Sequence, residues 1–295
     1  MPTFISAIVW ATISAFSYSA SFAAAKYLGE QLSAAELSFF RAVAGVLVIG
    51  GAWRLVASLG QARDPVGHIL RCSLGVMALY CLMYAVGKLP FGLAMLIYVS
   101  RAVAMPLTAY LLLGERSGPS VWAAVALGFL GAAISLWPAI ATPKLWLAVF
   151  AAVGAALASA GSQTVVRRLT RSNSVGLIVL IYTSILAIAT APFAFRSWIT
   201  PPPGDWLIVL ALGLCAALAY IAAAQSYARA TVSFLAAFDF LGFPAAAILG
   251  FVMFGEMPTV FDLVGGAIIL SAIIMVVRLK SSESHSGVNI VVCRK

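Results

Sequence analysis

Two charged residues lie deep inside apolar stretches of this chain, where an ionised group is costly and is usually kept for function. Arg101 sits in the stretch 91–113, roughly 15 Å from either end at 1.5 Å of rise per residue. Asp239 sits in the stretch 231–254, and each of the two stands five positions before a proline, Pro106 and Pro244. A guanidinium presents a planar fork that grips a carboxylate through two parallel hydrogen bonds. Two chemistries fit these residues. Arg101 could hold a substrate carboxylate while Asp239 meets an ammonium group, or the two could form a structural ion pair. Arg41, a turn or two inside the stretch 34–56, is read as a structural or gating cation.

Aromatic residues cluster near the same positions. Tyr80 and Tyr84 are four apart and share one helix face, and Tyr98 lies one turn before Arg101. Tyr18, Tyr220 and Phe238 are further candidates for a pocket wall. Tyrosine joins a flat apolar face to a hydroxyl, which suits an amino-acid side chain. Tyr182 and Tyr227 fit the membrane–water interface instead. Ser14, Ser17 and Ser21, like Ser159, Ser162 and Gln163, recur at helical spacing. Small polar residues let helices approach and bond across; Gln163, the bulkiest, is the candidate for cavity lining. The substrate-binding set read from the sequence is therefore Tyr80, Tyr84, Tyr98, Arg101, Gln163, Tyr220, Phe238 and Asp239.

No catalytic set accompanies them. The phosphate loop, the zinc-protease helix and the nucleophile elbow are all missing, and the two histidines, His68 and His285, lie near a loop and in the tail. Cys72, Cys81 and Cys215 lie in apolar segments, Cys293 lies in the tail, and no C-x-x-C pair occurs. An enzyme, a bound metal and a cofactor are accordingly not expected.

The elements that position these residues must be membrane helices. Of 295 residues, 63% are hydrophobic and 9% charged, against about 25% charged in soluble domains. Lipid must be the solvent, and long apolar blocks rather than alternating strands select helices over a barrel. Reading for runs of about 20 apolar residues gives ten spans, at 4–26, 34–56, 69–88, 91–113, 119–138, 145–166, 174–195, 206–228, 231–254 and 259–279. The first is not expected to be a cleaved signal, since no Lys or Arg precedes Lys26.

Lys and Arg set the orientation. The even-numbered loops and the tail carry twelve: Arg54, Arg63, Arg71, Arg116, Arg167, Arg168, Arg171, Arg229, Arg278, Lys280, Arg294 and Lys295. The odd loops carry four, namely Lys26, Lys88, Lys144 and Arg196. Both termini are thus expected in the cytoplasm. The net charge of +9 belongs to these loops and does not call for a nucleic-acid partner.

The chain also repeats itself. Span four ends Leu112-Leu113-Gly114-Glu115 and span nine ends Met253-Phe254-Gly255-Glu256, with the glutamates 141 residues apart (115 to 256). Tyr84-Ala85 and Tyr227-Ala228 stand 143 apart (84 to 227), and Pro119 and Pro258 follow the two Gly-Glu pairs. Gly128 and Gly131, with Gly265 and Gly266, mark spans five and ten as close-packed scaffold. The repeat divides the chain into 1–140, 141–280 and a cytoplasmic tail, 281–295. Five helices per half is an odd number, so the halves would insert in opposite senses, as in many transporters. Glu115 and Glu256 join Arg41 as structural or gating candidates.

Phe22-Ala23-Ala24-Ala25-Lys26, Leu37-Ser38-Phe39-Phe40-Arg41 and the two Gly-Glu ends together resemble the drug/metabolite transporter superfamily, in its EamA-type ten-helix branch. Within the branch the chain is most similar to the bacterial aromatic amino-acid exporters of the YddG group. Pro244 keeps the usual spacing of about a dozen residues before Gly-Glu, while Pro106 stands only nine before Glu115. The resemblance implies a multi-pass protein of the inner membrane, with a central cavity between the halves, exporting small metabolites such as amino acids by alternating access. Its partners would be the bilayer and the substrate, and a monomer would suffice. A nucleotide-sugar or organophosphate carrier of the same superfamily is the alternative. It would want several cations in the cavity, and the spans as drawn place only Arg101 deep in the membrane. An intramembrane enzyme would lack its reactive groups, and a channel has less need of an inverted repeat.

Overall fold

The computed structural model describes residues 2–51, 59–115, 118–140, 145–257 and 259–285, and their regular elements are all helical. Twelve α-helices follow in order: α1 Pro2–Leu28, α2 Ala34–Gly50, α3 Pro65–Val86, α4 Phe91–Val99, α5 Arg101–Leu113, α6 Pro119–Ile140, α7 Trp146–Leu169, α8 Val175–Arg196, α9 Trp206–Arg229, α10 Val232–Asp239, α11 Gly242–Phe254 and α12 Val260–His285. Arg54, Arg116, Lys144, Pro258, Cys293, Arg294 and Lys295 lie outside the described residues, as do the tail beyond His285 and the side chains of Arg278 and Lys280.

Local sequence explains where the helices begin and end. Ser33 opens α2 with a capping box: its hydroxyl accepts from the Glu36 N–H at 3.3 Å, and the Glu36 carboxylate accepts from the Ser33 N–H at 2.8 Å. Asp64 caps α3 from a left-handed backbone (φ 62°), accepting from the Gly67 N–H at 3.1 Å. Gly114 and Gly255 close α5 and α11 at φ +67° and +65°, where a side chain would strain the backbone. The residue after each glycine bonds back alike, Glu115 to Ala109 O at 3.2 Å and Glu256 to Gly250 O at 3.1 Å. The Gly-Glu pairs are thus helix stops that turn a carboxylate back over the bundle.

Among the described residues, six segments are long and apolar enough to cross a membrane: Ile5–Leu28, Pro65–Val86, Phe91–Leu113, Trp146–Leu169, Val175–Arg196 and Pro203–Arg229. Large apolar side chains cover the outside, with Leu47, Ile188 and Leu207 each at least 70% exposed, while Arg41, Arg71 and Arg101 are buried. That distribution is stable only with lipid outside.

The long helices pair α1 with α9, α3 with α7, α2 with α8 and α6 with α12. Gly131 permits the last pairing, since a Cβ there would stand 2.6 Å from the Gly265 carbonyl oxygen. Serines of α1 bond across to neighbouring backbones, Ser14 to Ala219 O at 3.1 Å, Ser19 to Gly242 O at 2.9 Å and Ser21 to Leu212 O at 2.7 Å. Two of the expected spans are interrupted. The stretch 91–113 turns at Ser100, between α4 and α5, and the stretch 231–254 turns at Phe240 and Leu241, between α10 and α11. Pro106 and Pro244 lie just beyond these turns; each lacks an N–H and crowds the carbonyl four residues before it. The interrupted helices cross, α4 against α11 and α5 against α10.

Candidate functional site

Arg101 and Asp239 stand at the two interruptions and meet there. Arg101 Nε and Nη2 each donate to one carboxylate oxygen of Asp239 at 3.1 Å, and Nη1 donates to Ser159 Oγ at 3.0 Å. Ser159 Oγ lies 3.0 Å from the Tyr98 hydroxyl, and the guanidinium centre lies 4.4 Å from the Tyr98 ring centroid. Of the two chemistries open to this pair, the structure displays the mutual ion pair. Each nitrogen of Arg101 has a partner within the protein, and the Nε–Nη2 edge of its fork is taken by Asp239.

Beside this pair lies a central cavity of about 20 Å³, lined from α1, α2, α3, α4, α7, α8 and α9. That is room for about one water molecule, so the bundle is closed here. Its walls are the rings of Tyr18, Phe22, Tyr98, Tyr182 and Tyr220, the polar ends of Ser159, Ser162 and Gln163, and the guanidinium groups of Arg41 and Arg71. Tyr220 packs edge-on against Tyr18 and Tyr182, at centroid distances of 5.8 and 5.2 Å. Gln163 also borders a smaller cavity of about 10 Å³ against Asp239 and Tyr227. Its Nε2 reaches the Tyr18 hydroxyl at 3.5 Å, and its Oε1 is buried without a partner among the described residues.

Arg71 corrects the loop assignment made from sequence. Asp64 starts α3 four residues before the expected span, which places Arg71 nearly two turns inside the helix. Its Nη1 donates to Ser162 Oγ, its guanidinium lies 3.9 Å from the Tyr182 ring centroid, and the orientation count becomes eleven to four. Arg41 Nη1 donates to Ser21 Oγ at 2.6 Å, and its guanidinium lies 4.1 Å from the Phe22 centroid. Arg41 also lines the cavity. The objection that a carrier of polyanions would need more deep cations falls with these two residues.

Three of the expected wall residues are elsewhere. Tyr84 is 40% exposed on the outer surface. Tyr80 follows that face, with its ring 6.2 Å from Phe193, itself 60% exposed. Tyr84 is turned to lipid, while Tyr80 is half-buried, with its hydroxyl buried and without a partner among the described residues, and neither lines the cavity. Phe238 is buried against Phe234 at 5.2 Å and does not line the cavity. Conversely, Tyr182 and Tyr227 are not interfacial. Tyr182 is a cavity wall, and Tyr227 is buried with its hydroxyl toward Met105 Sδ at 4.0 Å. An all-apolar helix gives no sign of which face its tyrosines take.

The two Gly-Glu carboxylates act at opposite ends of the interrupted helices. Glu256 accepts from the Phe91 N–H at 2.8 and 3.0 Å and from the Gly92 N–H at 3.4 Å, capping α4, and Lys26 Nζ donates to it while reaching Leu89 O at 3.3 Å. Glu115 accepts from the Val232 N–H at 3.3 Å, capping α10, with Arg167 Nε and Arg171 Nη2 at 3.6 and 3.7 Å. A negative group at a helix N-terminus meets free N–H donors and the positive end of the dipole.

The fold and this buried polar centre define a multi-pass membrane carrier of small molecules. The EamA-like transporter family matches the chain twice, over residues 5–137 and 146–278, and the chain belongs to that family. Among its relatives, the pseudopaline exporter CntI of Pseudomonas aeruginosa is 25% identical over 281 residues, covering 93% of this chain and 97% of its own. The riboflavin transporter of Rhizobium johnstonii is 29% identical over 226 residues, covering 76% and 74%. The S-adenosylmethionine uptake transporter of Rickettsia felis is 23% identical over 281 residues, covering 94% of each chain. A solved crystal structure aligns with a TM-score of 0.73 at 18% identity over 92% of this chain and 97% of its own, a likeness in fold. The family and these relatives are transporters, not enzymes, and none of the three is described as an aromatic amino-acid exporter.

Proposed function

We propose that this chain is a secondary transporter of the cytoplasmic membrane, moving small carboxylate-bearing metabolites outward, amino acids among them, by alternating access. The observation that carries the reading is the central cavity, where tyrosine rings and two guanidinium groups converge from both of the segments that match the family. Rings accept a flat apolar body, and the cations accept an acid group. Amino-acid export is the finer half of the proposal. The relatives' own substrates are varied, and the relatives include both an exporter and an uptake transporter.

Ten spans arranged as two inverted five-helix repeats would supply the moving parts. In support, the helix pairings recur five spans on: α1 with α9 and α7 with α3, α4 with α11 and α10 with α5. The two Gly-Glu caps follow the same exchange, Glu256 on α4 and Glu115 on α10. In this scheme the caps are latches on opposite membrane faces, and both are fastened in the closed bundle. The Arg101–Asp239 pair is then a strut between the halves. An excess of basic residues, eleven to four, puts both termini inside.

The test is counterflow. Liposomes holding the purified full chain and unlabelled phenylalanine should take up labelled phenylalanine, and Tyr182→Ala and Tyr220→Ala should slow it while Tyr84→Ala should not. Absence of counterflow for any carboxylate offered, including phenylalanine, threonine and glutamate, with UDP-glucose carried instead, would replace this reading with the nucleotide-sugar one.

A further inference from the structure

Resting on the central cavity as the substrate site, we infer that the site takes a small organic dianion with two separate acid groups, a dicarboxylate in the simplest case, seated by Arg41 and Arg71. Charge is the first argument. Among the described residues, Arg41 and Arg71 are the charged residues of the cavity lining, which holds no Asp or Glu. The carboxylate of Asp239 is already spent on Arg101 through both of its oxygens. Two buried positive charges face one cavity without a counter-charge, in surroundings where an unpaired ion is strongly disfavoured.

Unused donors are the second. Arg41 Nε and Nη2 and Arg71 Nε are buried and without a hydrogen-bond partner among the described residues. Each arginine is 94% buried or more, and each spends Nη1 on a serine. What is left on each is part of the fork that carboxylates recognise.

Two distinct seats suit two acid groups. The two cations are seated by the same device built twice. Arg41 lies on Ser21 and the Phe22 ring, and Arg71 lies on Ser162 and the Tyr182 ring. Serines and rings come from different helices, α1 for one seat and α7 with α8 for the other. Gly75 guards the second seat, because a Cβ there would come within 2.6 Å of both Arg71 Nη1 and the Tyr182 ring. Two separate acid groups leave both in place, with the substrate body between Tyr18, Tyr98 and Tyr220.

Ligand-induced shifts in melting temperature, measured on the full chain in nanodiscs, test this with matched compounds. Phenylsuccinate should raise the melting temperature most, its monoamide less and its diamide not at all, and glutarate against its monoamide should repeat the order. Arg41→Gln and Arg71→Gln should each reduce the phenylsuccinate shift to the size of the monoamide shift, and the Lys variants should keep part of it. Without ligand, the Gln variants should melt no lower than the wild type, whereas loss of a structural strut would lower the melt. If a Gln variant does not fold, the corresponding Lys variant carries the comparison. The inference is overturned if the monoamide or phenyl phosphate protects as well as phenylsuccinate, if no member of either series protects, or if the Gln variants keep the full shift. Phenylalanine counterflow that persists alongside such a result would leave the transporter reading intact and remove the dianion alone.

Discussion

Arg101 and Arg71 are both arginines buried among tyrosines in one bundle, yet their circumstances are opposite. Arg101 has its counter-ion in a two-point grip and a serine for its remaining nitrogen. Arg71 has a serine and a ring and, with Arg41, no carboxylate in the cavity it lines. A buried charge that is paired belongs to the structure, and its loss leaves the partner stranded. A buried charge that is not paired is a standing cost, which a ligand can relieve. On the proposed reading the first holds the halves together and the second binds substrate.

The largest effect expected follows from the first case. Arg101→Gln should destabilise the apo protein by about 3–5 kcal/mol, because Asp239 is left buried and uncompensated. Adding Asp239→Asn should recover much of that loss, as read by thermal melts of both singles and the double. A double mutant no more stable than the Arg101 single would break the contrast.

An intermediate effect is expected where the pair is half-buried. Lys26 and Glu256 have side chains 20% and 25% exposed, and Glu256 also caps α4. Glu256→Gln should cost about 1.5–3 kcal/mol, the range for a hydrogen bond to a charged group. It should also make a cysteine placed at Gly92 more reactive to impermeant thiol reagents, since the latch would open. Unchanged reactivity would leave Glu256 as a cap only.

The smallest effect is expected where the same fork lies in water. Arg168 grips Asp64 at 2.6 and 2.9 Å, but its side chain is 45% exposed. Exposed pairs contribute about 0.2–1 kcal/mol. Burial would raise the Asp64 carboxyl, but the Gly67 N–H and Arg168 outweigh it and hold it below the usual 3.8. A carboxyl with a lowered folded value contributes stability above its unfolded value and loses it as pH falls through the folded one. The difference between wild type and Asp64→Asn should therefore be constant above about pH 5 and shrink below pH 3.8. A difference that grows on acidification would contradict the geometry.

Several functional features were legible in the residues alone. Arg101 and Asp239 announced themselves as charges within apolar runs, and the Gly-Glu pairs as repeated punctuation. The glycine of each pair is required by a left-handed helix end, which is local chemistry. Arg71 was misplaced because an aspartate cap lengthened α3 beyond its apolar run. The tyrosines of α3 were misplaced for a different reason. In water a helix shows its inner face by being apolar on one side, but in lipid both sides are apolar and the pattern is silent.

Composition and spacing alone establish that this chain is helical, that lipid surrounds it, that it is built twice over, and that Arg101 and Asp239 lie deep in apolar runs. Those properties follow from composition and from spacing along one strand of chain. Which charges are partners emerges only once the helices pack. Arg101 meets Asp239, Arg71 meets Ser162 and Tyr182, and Glu256 meets Phe91 across separations that no helical period reports. Pairing is a property of helices packed side by side, and in a membrane that packing is set by shape and by buried hydrogen bonds, which a linear apolar pattern does not encode.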